Sequence, residues 1–86
     1  MAGGFAELVA NSRSSLVYLA KLKEAKSGAD AWYYVQIKNK ILLPIFLKEM
    51  ETSQHIKLNN FGTVLYSGWG QEPPEDIKQK IKEQFG

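Results

Sequence analysis

The stretch AWYYVQIK, residues 31–38, decides the fold class of this 86-residue chain. Aromatic and β-branched side chains dominate it, and this composition favours a β-strand. It follows the turn residues KSGAD (26–30), which come directly after the strand-like segment SSLVYLAKLKEA (14–25). Two strand-like runs joined by a glycine-containing loop predict a β-hairpin.

A first helix is the alternative interpretation of residues 14–25. A helix would bring four residues to one face: Leu16, Leu19, Ala20 and Lys23. A strand would bring four apolar residues to one face: Leu16, Tyr18, Ala20 and Leu22. The strand gives the cleaner apolar face and is favoured, although the pattern alone leaves both interpretations open.

Further along the chain, Pro44 locates the start of a helix. Proline is tolerated in the first helical turn, where the backbone N–H groups have no partner within the helix. The helix is therefore expected to begin near Leu42 or Leu43 and to end near Thr52. Four apolar residues recur at helical spacing within it: Leu43, Phe46, Leu47 and Met50.

The C-terminal part predicts one more strand and one more helix. The segment TVLYS (63–67) has strand composition, and PPEDIKQKIKEQFG (73–86) has the pattern of a helix that starts at its prolines. Three apolar residues form one stripe along this helix: Ile77, Ile81 and Phe85.

These elements predict a single α+β domain over residues 14–86, in the order β-β-α-β-α. We expect an antiparallel-leaning sheet of about three strands with both helices on one face. Residues 1–13 carry glycine and polar residues around a short apolar patch, and we expect them to form a flexible N-terminal arm.

Composition excludes several classes of protein. Eleven Lys and Arg against nine Asp and Glu give a net charge of +2, below the basic excess of dedicated nucleic-acid binders. The absence of cysteine excludes disulfides and thiolate chemistry and is compatible with a reducing cytoplasm. No apolar run reaches the roughly 20 residues of a membrane helix, and the first residues lack the pattern of a secretory signal.

The segment SGWG (67–70) precedes the C-terminal helix as a phosphate-binding loop would. Pro73 and Pro74, however, have no backbone N–H to offer a phosphate, and Glu72 would repel one. We therefore expect the glycines to turn the chain, with Trp69 covering the edge of the core.

The stretch FGTVLYSGWGQEPPEDIKQKI (61–81), with its Gly-x-x-x-x-Ser-Gly-Trp-Gly motif, resembles the C-terminal part of small, uncharacterised bacterial proteins. The resemblance implies a bacterial, cytoplasmic setting and carries no activity, cofactor or partner with it.

Catalytic and metal-binding constellations are absent from the sequence. A triad or a histidine acid–base pair would have to use His55, the only histidine, which is expected in a loop. One histidine without cysteine leaves no ligand set for zinc, and no cofactor is expected. The chain is therefore interpreted as a non-enzymatic interaction or accessory protein, with a small enzyme of unrecognised site as one alternative.

A second alternative is a module that binds single-stranded nucleic acid. Alternation along residues 31–38 places Trp32, Tyr34 and Lys38 on the same side of the sheet, and the hairpin would add Lys21 and Lys23. If both helices cover the other side, this aromatic and basic face is open for stacking on bases. The small net charge argues against that partner.

The segment ILLPIFLKEM (41–50) also predicts self-association. It is apolar almost all round, so Leu42 and Ile45 are expected to remain outside the core as a candidate interface. A two-fold homodimer would bury them. The alternative is coverage within one chain by Phe5, Leu8 and Val9.

Overall fold

A computed structural model describes residues 4–12, 16–23, 27–52 and 56–85. The strands are β1 Phe5–Asn11, β2 Leu16–Lys23, β3 Asp30–Ile37 and β4 Thr63–Trp69, and the helices are α1 Leu43–Thr52 and α2 Glu75–Phe85. The helix α1 lies between β3 and β4, and α2 follows β4; short 3₁₀ turns occupy Lys40–Leu42 and Leu58–Asn60.

The described strands form one antiparallel sheet in the order β1-β2-β3-β4. The α+β class and the antiparallel sheet are confirmed, but the sheet has four strands, not three. The missing strand is β1, which was expected to belong to a flexible arm over residues 1–13. Pairing with β2 makes residues 5–11 extended, because a partner strand supplies the backbone hydrogen bonds that a short isolated segment cannot make by itself.

The choice between strand and helix for the first half of the hairpin is settled in favour of the strand. Leu16 lies opposite Ile37 at one end of the β2–β3 pair, and Lys23 lies opposite Asp30 at the other. There the Lys23 Nζ lies 2.9 Å from a carboxylate oxygen of Asp30. Gly28 adopts φ 71° in the connection, a backbone conformation that favours glycine.

The two helices pack on opposite faces of the sheet, so the prediction that both lie on one face is wrong. On the α1 side, Phe46 and Met50 join a cluster from β2 and β3: Leu16, Ala20, Leu22, Val35 and Ile37. On the α2 side, Ile81 joins a second cluster: Ala10, Val17, Leu19 and Tyr34. Both faces of β2 are apolar, and each therefore needs its own cover from water.

The prolines mark the starts of both helices, as expected. The side chain of Asn39 accepts a hydrogen bond from the N–H of Ile41 at 3.0 Å, and Pro44 occupies the first turn of α1. Pro73 is buried and Pro74 directly precedes α2. The stripe on α2 is confirmed, since Ile81 is buried and Ile77 and Phe85 pack partly against the same cluster.

Two glycines mark places where the backbone comes into close contact. The N–H of Gly4 donates to the carbonyl of Met50 at 2.6 Å, which ties the start of the described chain to α1. A Cβ on Gly62 would collide with the backbone carbonyl of Gln36. Neither position has room for a side chain, so both contacts depend on glycine.

The strand β4 runs through Trp69, two residues beyond the predicted end, and the chain turns at Gly70. Gly70 has φ 81°, and its N–H donates to the carbonyl of Asp30 at 2.7 Å. Trp69 is 60% exposed and so does not cover the core edge as expected. In the described parts of the chain, no helix is both long and apolar enough to cross a membrane.

Candidate interaction surfaces

The aromatic face predicted to be open is covered by α2. Tyr34 is only 1% exposed, with its ring centroid 6.1 Å from that of Tyr66 and with Ile81 of α2 in the same buried cluster. Trp32 is partly buried against this cluster. A base could stack on Tyr34 only after α2 had moved away, because stacking needs access to the face of the ring.

The lysines expected on that face are dispersed. The Nζ of Lys21 lies 5.3 Å from the ring centroid of Trp32, a cation–π contact within one chain. Lys23 pairs with Asp30 at the end of the hairpin, and Lys38 is exposed just after β3. The structure therefore brings Lys21 to Trp32 but does not assemble the five residues into one open surface.

A buried polar atom also lies on this side of the sheet. The Nε1 of Trp32 is buried and has no hydrogen-bond partner among the described residues. Buried polar groups usually have partners, because an unpaired donor loses its hydrogen bonds with water. The indole N–H of Trp32 is thus buried at an energetic cost, while the side chain as a whole is partly buried.

The buried ring of Tyr34 has an electrostatic consequence. Burial, together with the negative charges of Glu72, Glu75 and Glu7, raises the pKa of its hydroxyl above the ordinary tyrosine value. The acidic side chains also show that the α2 side of the sheet near Tyr34 carries negative charge.

This raised pKa predicts a loss of stability in alkali. The pKa is higher in the folded state than in the unfolded state, so the contribution is present below about pH 10 and is lost as the pH rises through the folded value. Tyr34→Phe should flatten the fall in the free energy of unfolding above that pH, measured by denaturant titration. Glu72→Gln, which removes one of the charges that raise this pKa, should make the fall smaller than in the wild type; wild-type profiles for both variants would contradict the assignment.

The outer side of α1 and the turn before it carry two exposed large apolar residues. Ile41, at the 3₁₀ turn before α1, is 80% exposed, and Ile45, one helical turn later, is 51% exposed. Pro44 is exposed beside them, whereas Leu42 is partly buried. The predicted interface residue Ile45 therefore lies on the surface. The exposed apolar residue beside it is Ile41, and not Leu42 as predicted. We call Ile41, Pro44 and Ile45 the α1 patch.

A shallow groove continues the α1 patch toward the end of the helix. It has a volume of about 300 Å³ and is lined by Pro44, Ile45, Lys48, Glu49 and Thr52. Within α1, Ile45, Lys48 and Thr52 follow the spacing of three and four residues that brings side chains to one side of a helix. The positive Lys48 and the negative Glu49 border the groove at adjacent positions.

The described residues contain no cluster of side chains that could bind a metal ion. Among residues 4–12, 16–23, 27–52 and 56–85, no three His, Asp or Glu side chains lie close enough to hold a metal ion. The prediction for His55 falls outside the described residues. No protein-family model, curated protein or solved structure matches the chain.

Proposed function

We propose that this chain is a non-enzymatic interaction module that forms a two-fold homodimer through the α1 patch. The observation that carries the proposal is the exposure of Ile41 and Ile45 on adjacent turns of one surface. Contiguous apolar surface on a small domain marks an interface more often than scattered apolar residues do.

The alternative cover within one chain does not reach the patch. Phe5 and Leu8 belong to β1 at the edge of the sheet, and they are themselves 45% and 46% exposed. By register, Phe5 lies opposite Lys21 on the α2 side of the sheet, and Leu8 lies opposite Tyr18 on the α1 side. Ile41 and Ile45 stay exposed with both residues in place. The N-terminal residues of the described chain therefore leave the α1 patch open for a second copy.

A two-fold axis across α1 would make the surface self-complementary. In an antiparallel pair of these segments centred near Leu43, Ile41 packs against Ile45 of the partner subunit, beside Pro44. The symmetry repeats each contact, as an isologous interface requires. Apolar burial would supply the affinity, at about 25 cal/mol per Å² of area.

The substitution Ile45→Glu tests this interface. Two carboxylates would be placed at the centre of an apolar contact, where burying unpaired charge is costly, so the dimer should separate. Sedimentation velocity at micromolar concentration should show a wild-type dimer and an Ile45→Glu monomer with an unchanged circular dichroism spectrum. The matched control is Phe5→Glu, a change of similar exposure on the other side of the sheet, which should remain a dimer.

A wild-type protein that stays monomeric at high concentration would falsify the proposal. Dissociation by Phe5→Glu and Ile45→Glu alike would point to a general loss of folding instead of a specific interface. Single-stranded nucleic acid, the other partner considered, is not proposed because α2 covers the ring of Tyr34.

A further inference from the structure

The strand β4 is an edge strand whose outer hydrogen-bonding groups have no partner strand among the described residues. The bond from the N–H of Gly70 to the carbonyl of Asp30 identifies these two residues as a hydrogen-bonded pair. Bonded and non-bonded pairs alternate along an antiparallel ladder. Ser67 and Trp69 therefore direct their N–H and C=O groups away from β3, toward the open edge.

This edge lacks the usual protection against a further strand. Edge strands are commonly guarded by charged residues, proline or bulges. The opposite edge, β1, carries Glu7 and a bulge between Leu8 and Ala10. The sequence of β4, TVLYSGW, contains neither a charged residue nor a proline, and its single irregularity lies before Tyr66, outside the stretch that ends at the Gly70 turn.

The α1 side of β4 offers a groove with both apolar and polar lining residues. It has a volume of about 480 Å³ and is lined by Tyr33, Val64 and the segment that leads into β4: Ile56, Lys57, Leu58, Asn59 and Asn60. Trp69 is exposed on the same side of the sheet. It lies opposite Ala31, and Ala31 shares a side with Tyr33, two residues further along β3. Apolar side chains of an added strand would find partners there.

The α2 side of β4 is different in charge. Tyr66 and Gly68 point to this side, and a Cβ on Gly68 would lie 2.8 Å from the Tyr66 hydroxyl, so the tyrosine ring folds over the glycine. Glu72 and Glu75 lie near enough to act on the neighbouring Tyr34. Basic side chains of an added strand would be favoured on this side.

We propose that the free edge of β4 binds an extended segment of a partner protein that adds a fifth strand, with apolar side chains on the α1 side and basic side chains on the α2 side. The backbone groups of Ser67 and Trp69 supply the hydrogen bonds, and the two sides of the edge select alternating residues. A second copy is disfavoured as the occupant, because pairing β4 with itself would bring Glu72 and Glu75 of both chains to the same side of one continuous sheet.

A designed peptide of alternating lysine and valine, eight residues long and labelled with fluorescein, is the probe. Fluorescence polarisation should show saturable binding to the wild-type protein. Ser67→Pro removes one outward N–H while sparing the bonds to β3, and it should weaken binding about tenfold. The matched peptide of alternating glutamate and valine should bind about tenfold more weakly than the lysine peptide, through repulsion by Glu72 and Glu75.

Two further measurements keep the test decisive. If Ser67→Pro lowers the melting temperature sharply, a lysine–valine peptide with N-methylated amides on its β4-facing side replaces it and should lose binding in the same way. Ile45→Glu should bind the lysine–valine peptide as the wild type does, so failure of the α1 dimer and failure of this proposal are distinguishable.

Several results would overturn the proposal. They are the absence of binding at millimolar peptide, equal binding of the lysine and glutamate peptides, and unchanged binding by a folded Ser67→Pro variant. Growth of the wild type into larger assemblies that Ser67→Pro abolishes would show that a second copy, not a foreign segment, occupies the edge.

Discussion

Replacement of Phe46 by alanine is expected to lower the free energy of unfolding by about 3–5 kcal/mol. The side chain is fully buried, and its ring centroid lies 5.6 Å from that of Tyr18 and 5.7 Å from that of Phe61. It thus joins α1 to the hairpin and to the segment that leads into β4. Truncation removes both aromatic contacts and leaves a cavity that the surrounding strands cannot fill without moving.

The size of this effect is measured by chemical denaturation followed by circular dichroism. Leu8→Ala is the matched control, because it removes an apolar side chain at an exposed position outside the α1 patch, and it should cost less than about 1 kcal/mol. Natural domains have about 5–15 kcal/mol of stability in total, so Phe46→Ala should leave a marginal protein. Equal effects of the two substitutions would show that α1 is not docked as described.

Ending the chain after Pro74 is expected to abolish cooperative folding. The truncation removes α2 and with it Ile81, which is buried against Val17, Leu19 and Tyr34. Each large apolar side chain that becomes exposed costs about 1.5–3 kcal/mol, and the sheet would present an entire apolar face to water. Differential scanning calorimetry should show no sharp unfolding transition for the shortened chain.

Point variants on α2 separate the loss of packing from the loss of chain length. Ile81→Ala, at the buried position, should lower the free energy of unfolding by about 2–5 kcal/mol. Gln84→Ala, at an exposed position of the same helix, should change it by less than about 0.5 kcal/mol. A shortened chain that still melts sharply at the wild-type temperature would sink the assignment of α2 as an integral layer of the fold.

Local chemistry explains the parts of the fold that were predicted correctly. The run AWYYVQIK forms β3 because its side chains suit a pleated, packed surface. Pro44 and the pair Pro73-Pro74 locate the starts of the two helices. Proline lacks a backbone N–H, and this is tolerated only in the first turn, where the N–H has no hydrogen-bond acceptor within the helix. The stripe Ile77, Ile81 and Phe85 identifies the packed side of α2.

The strand β1 could not be recognised from its own residues. Residues 5–11, FAELVAN, have weak strand character and follow glycines, so local preference suggests a loose arm. They become extended because β2 offers an unpaired edge that needs hydrogen-bond partners. Residues 5–11 therefore form a strand only because they pair with β2.

Of the candidate sites, one was predicted correctly from local pattern and one was not. The exposure of Ile45 was predicted from helical spacing, since a helix that is apolar all round has more apolar residues than one contact can cover. The open face around Trp32 and Tyr34 was predicted wrongly, although a signal was present: Val17 and Leu19 make the second side of β2 apolar as well. A strand that is apolar on both sides indicates a sheet covered on both sides.

The sequence by itself determined that residues 31–38 and 63–67 are largely extended, where both helices begin and which of their residues are apolar, because these depend on neighbours within a few positions along the chain. Only the tertiary structure decided that the two helices lie on opposite faces of the sheet, that β1 belongs to it, and that the outer side of β4 has no partner strand among the described residues. These outcomes depend on which surfaces remain uncovered after the hairpin has formed, and burial of apolar area depends on the whole assembly of elements and not on any one of them.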